Sequence, residues 1–154
     1  MAFNLTQDNI LPALQAHNRK ELLRIIIQHA AENTGLSAKD IHEAMFFQEN
    51  KAISGVGNGI ALPNARVIGL DEPYMLFARL PQAIDYMALD DQAVDLVTLL
   101  LSPAEEPEPF HLRRLARLTR AMRDQNLCKR LRGADRIEAL YVLLMDPVEK
   151  SLAA

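Results

Sequence analysis

The run Val94-Asp95-Leu96-Val97-Thr98-Leu99-Leu100-Leu101 limits what this chain can become more than any other segment. It is short and nearly continuous in apolar character, without the strict alternation of a half-exposed strand. That pattern belongs to a strand buried on both faces. Such a strand needs cover on each side, and helical periodicity precedes and follows it. Helices before, between and after strands predict a layered α/β domain.

The remaining elements are read from punctuation and period. Residues 9–15 form a short apolar piece, expected at a sheet edge because Pro12 lacks a donor. Asn18 caps a helix to about Glu32, with Leu22, Leu23, Ile26, Ile27 and Ala30 facing the core. Asn33-Thr34-Gly35 ends it. Ser37-Ala38-Lys39-Asp40 resembles a capping box and opens a second helix to about Gln48, with Ile41, Ala44, Met45 and Phe47/Gln48 on the helical period. Tyr74 to Leu80 reads as a strand. Ser102 to Pro109, with three prolines and three glutamates, reads as a turn and a helix entrance. A helix over 110–124 carries Leu112, Leu115, Leu118, Thr119 and Met122 on one face. One or two helical turns over 126–132 and a last helix over 135–145 follow, and Ser151 to Ala154 are expected to fray.

At 154 residues the chain suits one domain, spanning 1–154 with its core over about 5–146. A net charge of −3 gives no general pull toward nucleic acid or anionic lipid. The lone Cys128 cannot form an internal disulfide and fits a reducing compartment. The first residues lack a basic region followed by an apolar one, so no signal peptide is expected. The apolar stretches are too short to span a membrane. The expected location is the cytoplasm.

The chemistry concentrates in Gly55-Val56-Gly57-Asn58-Gly59-Ile60-Ala61-Leu62-Pro63-Asn64-Ala65-Arg66. Closely spaced glycines allow a tight turn with positive φ. An apolar triplet then enters the interior, Pro63 fixes direction, and a polar side chain follows at once. This segment resembles the active-site loop of the mannitol/fructose-type enzyme IIA domains of the bacterial phosphotransferase system, and most of all the nitrogen-regulatory branch, with its pattern G-[IV]-G-N-G-I-A-[IL]-P-H. Three further segments match that family in order and spacing: Asp90 to Val97, His111 to Leu118, and Leu127 to Arg132. The resemblance covers roughly residues 18–145. It implies a three-layer α/β/α domain with a small mixed β-sheet flanked by helices.

The same resemblance implies a phosphoryl group accepted from a carrier protein. The family's acceptor histidine falls on Asn64, its second active-site histidine on His111, and its upstream arginine on Gln48. Glu49 matches the glutamate after that arginine, and the family's hydroxyl pair falls on Ile53 and Ser54. An amide nitrogen is delocalised into its carbonyl, so Asn64 cannot be phosphorylated as an imidazole can. Gln48 cannot supply the charged fork of a guanidinium. Losing nucleophile, arginine and one hydroxyl together points to natural divergence rather than an engineered substitution. Asn64 can still replace part of the hydrogen bonding of a histidine ring. The expected anion pocket comprises Ser54, Gly55, Gly57, Gly59, Asn64 and His111.

Two readings of function stay open. One is a regulatory protein that cannot be phosphorylated and acts by binding a phosphocarrier of the HPr type or targets such as sensor kinases and ion transporters. The other is an active phosphotransferase component with His111 as acceptor. A weaker third is an anion or metabolite sensor using the glycine-loop amides. His111 itself reads either as a pocket remnant or as a helix-start histidine packed on Leu115. His17, His29 and His42 have no motif. No metal or cofactor is expected. The run Arg113, Arg114, Arg117, Arg120, Arg123, Lys129, Arg130 and Arg132 reads first as a solvated helix face, and second as a docking patch for an acidic protein. Cys128 reads as structural.

Overall fold

The computed structural model describes residues 5–51, 55–86 and 90–153, and the side chains of 49–51 and 146–153 fall outside that description. After a single 3₁₀ turn at Gln7–Asn9, the elements run β1 (Ile10–Leu11), α1 (Arg19–Thr34), α2 (Ala38–Lys51), β2 (Gly55–Gly57), β3 (Ile60–Ala61), β4 (Asn64–Val67), β5 (Tyr74–Ile84), β6 (Val94–Pro103), α3 (Glu108–Met122), α4 (Gln125–Gly133) and α5 (Ile137–Ala153). The sheet order is β1-β5-β6-β3-β2, with β4 also paired to β6.

The apolar run is the central strand of this sheet. β5 lies antiparallel on one side of β6, with Tyr74 opposite Leu101 and Ile84 opposite Val94. On the other side β3 and β4 run parallel to it, Ile60 opposite Leu96 and Asn64 opposite Leu100. Successive side chains of β6 go to opposite faces. Val97, Leu99 and Leu101 pack with Leu22, Ile26, Ile41 and Met45 of α1 and α2. Leu96 and Leu100 pack with Leu118, Leu131 and Leu140 of α3, α4 and α5. The result is the expected three-layer α/β/α fold with a mixed sheet. Each fully buried leucine of this strand contributes roughly 1.5–3 kcal/mol by removal from water.

Local chemistry sets the first helices as expected. Asn18 Oδ1 accepts from the Glu21 amide at 2.8 Å, and Gly35 closes α1 at φ 79° with its amide donating to Ala31. Ser37 Oγ accepts from the Asp40 amide at 3.1 Å.

Several boundaries differ from the sequence reading. The edge strand holds only Ile10–Leu11, and Leu14 then bonds outside the ladder to the Arg79 carbonyl. β5 continues to Ile84, and β6 includes Ser102 and Pro103, which had read as turn. A proline is tolerated there because it is the last residue of the strand and its missing donor leaves no gap in the ladder. The glycine loop is two short strands joined by a turn at Asn58 and Gly59. Phe47 is exposed rather than core-facing. On α3 the expected Leu118 and Met122 are buried and Leu115 packs partly against the core, but Leu112 is 54 % exposed and His111 and Arg114 join the buried stripe. The helix is turned so that two polar residues enter the interior. The α5 backbone stays helical through Ala153 rather than fraying from Ser151.

Candidate functional site

The site forms where strand ends meet the start of α3. Asn64 opens β4, Ser102 lies near the end of β6, and His111 sits in the first turn of α3. The connecting turn contributes Glu106, and Arg114 follows one helical turn after His111. Parallel pairing sets Arg66 opposite Ser102, so β4 presents Asn64 and Arg66 at one end of the sheet.

These side chains form one hydrogen-bonded chain whose direction can be read. Asn64 Nδ2 donates to the Leu62 carbonyl at 2.9 Å, so Oδ1 is the atom facing His111 Nε2 at 3.0 Å. An amide oxygen only accepts, which makes Nε2 the protonated ring nitrogen. Nδ1 is then the acceptor, and Ser102 Oγ–H donates to it across 2.7 Å. The same hydroxyl oxygen accepts from Arg114 Nη1 at 3.1 Å. Arg114 closes on Glu106 through a two-pronged ion pair, 2.7 Å from Nη1 and 3.0 Å from Nη2. Arg66 Nη2 donates to the carbonyls of Ala104, at 2.9 Å, and Glu106, tying the turn to β4.

Burial and charge set the protonation states. Asn64 is 6 % exposed, His111 5 % and Arg114 2 %. Desolvation, followed by the charges of Arg66 and Arg114, pushes the His111 pKa down from 6.5 to about 4, against a smaller pull from Glu108 and Glu106. His111 is therefore neutral at pH 7, in agreement with the single ring proton that the hydrogen bonds require. Arg114 bonded to Glu106 holds that carboxyl below its ordinary range.

Asn64 and His111 thus meet, as the sequence predicted, but they are packed shut rather than lining a shallow pocket. The nearby open cavity, about 640 Å³, has Gln48, Arg66, Phe47, Ala104 and Glu108 among its wall residues, and neither Asn64 nor His111. The glycines do not join them. The turn at Gly57 to Gly59 lies at the level of Asp95, since the Gly59 carbonyl accepts from the Asp95 and Leu96 amides. Asn64 pairs five residues further along β6, roughly 16 Å at the usual rise. The amide of Asn58 donates to Asp90 at 2.9 Å, and Arg132 bonds both Asp95 and the Asn58 carbonyl. A Cβ on Gly59 would fall 2.6 Å from Arg132 Nη2. The turn is thus tied to Asp90, Asp95 and Arg132 and stands apart from the Asn64 and His111 pair, with an open cavity of about 430 Å³ beside it that has Asn58, Arg123, Lys129 and Arg132 among its wall residues. Gly55 pairs with Ala61 in the edge hairpin. Ser54 and Ile53 lie outside the described residues, as does the side chain of Glu49.

The sequence reading missed Ser102, Glu106, Arg66 and Arg114. Arg114 belongs to the run that reads first as a solvated face and second as a docking patch, although its spacing of three from His111 puts both on one side of a helix. Arg132 also leaves the solvated run, through its pair with Asp95. Cys128 is buried, its thiol donates to the Met122 carbonyl, and burial pushes its pKa up, as a structural role requires.

Comparison with known proteins agrees with this architecture. Residues 3–146 match the family described as phosphoenolpyruvate-dependent sugar phosphotransferase system, EIIA 2. The chain is 39 % identical over 138 residues to a nitrogen regulatory protein of Bradyrhizobium diazoefficiens, covering 90 % of each. It is 33 % identical over 137 residues to the nitrogen regulatory protein of Escherichia coli K12, covering 86 % of this chain and 82 % of that one. Its fold superposes on nitrogen regulatory protein IIA-Ntr from Neisseria meningitidis with a TM-score of 0.84 at 24 % identity, covering 90 % and 94 % of the two chains. The mannitol IIA of Escherichia coli gives 0.77 at 19 % identity, covering 92 % and 99 %. With its family match spanning nearly the whole sequence, the chain belongs to the type 2 enzyme IIA family of the phosphotransferase system, among homologues of the nitrogen regulatory proteins.

Proposed function

We propose that this protein is a nitrogen-regulatory enzyme IIA homologue that is not phosphorylated and acts by binding other proteins. The observation that carries this reading is the residue after Pro63. Asn64 has no nucleophilic nitrogen: its amide lone pair is delocalised, and Nδ2 is committed as a donor to Leu62. Gln48 at the arginine position removes a fixed charge that would stabilise the transferring phosphoryl group. The protein then presents one surface regardless of carrier phosphorylation. Its partners are a phosphocarrier bound without turnover, and regulatory targets such as sensor kinases or ion transporters. The setting for such partners is the cytoplasm, in keeping with the absence, among the described residues, of any helix long and apolar enough to cross a membrane.

His111 as an alternative acceptor is disfavoured by its own contacts. Nε2 carries the ring proton, and the Nδ1 lone pair is taken by the Ser102 hydroxyl. Both face buried partners instead of an approaching phosphoryl donor. The deciding experiment is incubation with a phosphorylated carrier protein followed by analysis for acid-labile phosphate. No stoichiometric phosphohistidine is expected, and its appearance at His111 would reverse the conclusion.

A further inference from the structure

Helix α2 is two-sided in charge. Its Asp40 and Glu43 line the cavity beside Gln48 and Arg66. Its opposite flank meets α1 across a second groove of about 710 Å³, with no carboxylate among the described residues of its wall. Ile27 and Met45 form the buried floor, Leu23 is half-buried, and Phe46 stands 62 % exposed on the rim. The Phe46 ring lies nearly parallel to that of His42, with centroids 6.4 Å apart and planes 10° apart. Lys20 and Arg24 flank the apolar floor from α1 and are exposed. Glu21, on the same helix, turns instead to His17 at 3.1 Å. A chain of net charge −3 thus gathers positive charge around its apolar groove.

We propose that the groove between α1 and α2 docks an amphipathic helix of a protein partner whose apolar stripe is flanked by carboxylates. A groove between two helices accepts side chains at i, i+3, i+4 and i+7 of a third. Lys20, Leu23, Arg24 and Ile27 already run along α1 at that spacing, so two turns of a partner helix match the groove's length. Charge fixes the partner's sign. A symmetric pair of copies would set Lys20 and Arg24 against the same cations across the axis. Carboxylates beside an apolar stripe pair with them and speed encounter at low salt. This surface is separate from the Asn64 and His111 network, so its failure would leave the acceptor-site reading untouched.

The test uses the full chain and two synthetic amphipathic peptides with the same apolar stripe, one flanked by glutamates and the other by lysines. Binding is followed by fluorescence anisotropy and by backbone amide shifts. The acidic peptide should shift amides over 19–27 and 42–46, and should weaken with salt. The double variant Lys20→Glu, Arg24→Glu should lose at least about tenfold in affinity for it and gain for the basic peptide. Phe46→Ala, at an exposed position, should weaken the acidic peptide while leaving the thermal midpoint in place. The proposal is overturned if the acidic peptide does not bind, if both peptides bind alike, or if the shifted amides lie elsewhere. Sedimentation that shows a concentration-dependent dimer abolished by Phe46→Ala would assign the groove to a second copy. Preferential binding to phosphatidylserine vesicles would assign it to a lipid surface, and either result also overturns the proposal.

Discussion

Acid should destabilise this protein through His111, by an amount set by its burial. The ring's pKa falls from 6.5 in the unfolded chain to about 4 in the folded one. Between those values the unfolded chain binds a proton that the folded chain refuses. Stability is therefore full above pH 6.5 and is lost as the pH falls toward 4. A difference of about 2.5 pH units at ~1.36 kcal/mol per unit gives ~3 kcal/mol. The structural origin is specific. Protonation would put a second donor on a ring already facing the cations Arg66 and Arg114, away from water. The assay is urea unfolding of the wild type and of His111→Gln across this window. A glutamine does not titrate, so the comparison of pH slopes isolates the ring, while Glu106 titrates in both proteins. With a urea slope of ~1–3 kcal/mol per molar, the wild-type midpoint should fall ~1–3 M further than the variant's. Parallel pH slopes for the two proteins would refute the buried neutral histidine.

Ser102→Ala removes the hydroxyl between His111 and Arg114 and should cost ~1–3 kcal/mol in denaturant unfolding, because two buried polar groups lose a partner. An unchanged midpoint would mean the hydroxyl is not a link in the network. Gly59→Ala should destabilise by ~1–3 kcal/mol or more, since φ is 80° there and the new Cβ would lie 2.6 Å from Arg132 Nη2 and 2.9 Å from Asp95 Oδ1. A thermal melt that matches the wild type would show that the Arg132–Asp95 pair yields freely. Asn64→His alone should recover little phosphoryl transfer, and Asn64→His with Gln48→Arg ~10²–10³ more in initial rate, the usual worth of one preorganised donor. Equal rates for the single and double variants would make the arginine loss incidental.

Much of this fold is written in local pattern. The length of Val94 to Leu101 and its apolar character on both faces demanded a covered central strand, and β6 is that strand. Asn18, Gly35 and Ser37 punctuate helices by short-range hydrogen bonds and a positive φ, which need no tertiary partner to be recognised. Asn64 and His111 could be paired through resemblance alone. Other features depended on what the chain meets far away in sequence. The glycine turn reads as an anion site by its backbone, and only the tertiary structure brings Asp90, Asp95 and Arg132 against it from other segments. Arg114 looked like one more surface cation in a basic run. Only the docking of α3 against the end of β6, with Glu106 folding back from the connecting turn, gives a buried guanidinium its partners, Ser102 and Glu106. Leu112, at the edge of the face that Leu118 and Met122 bury, is left exposed.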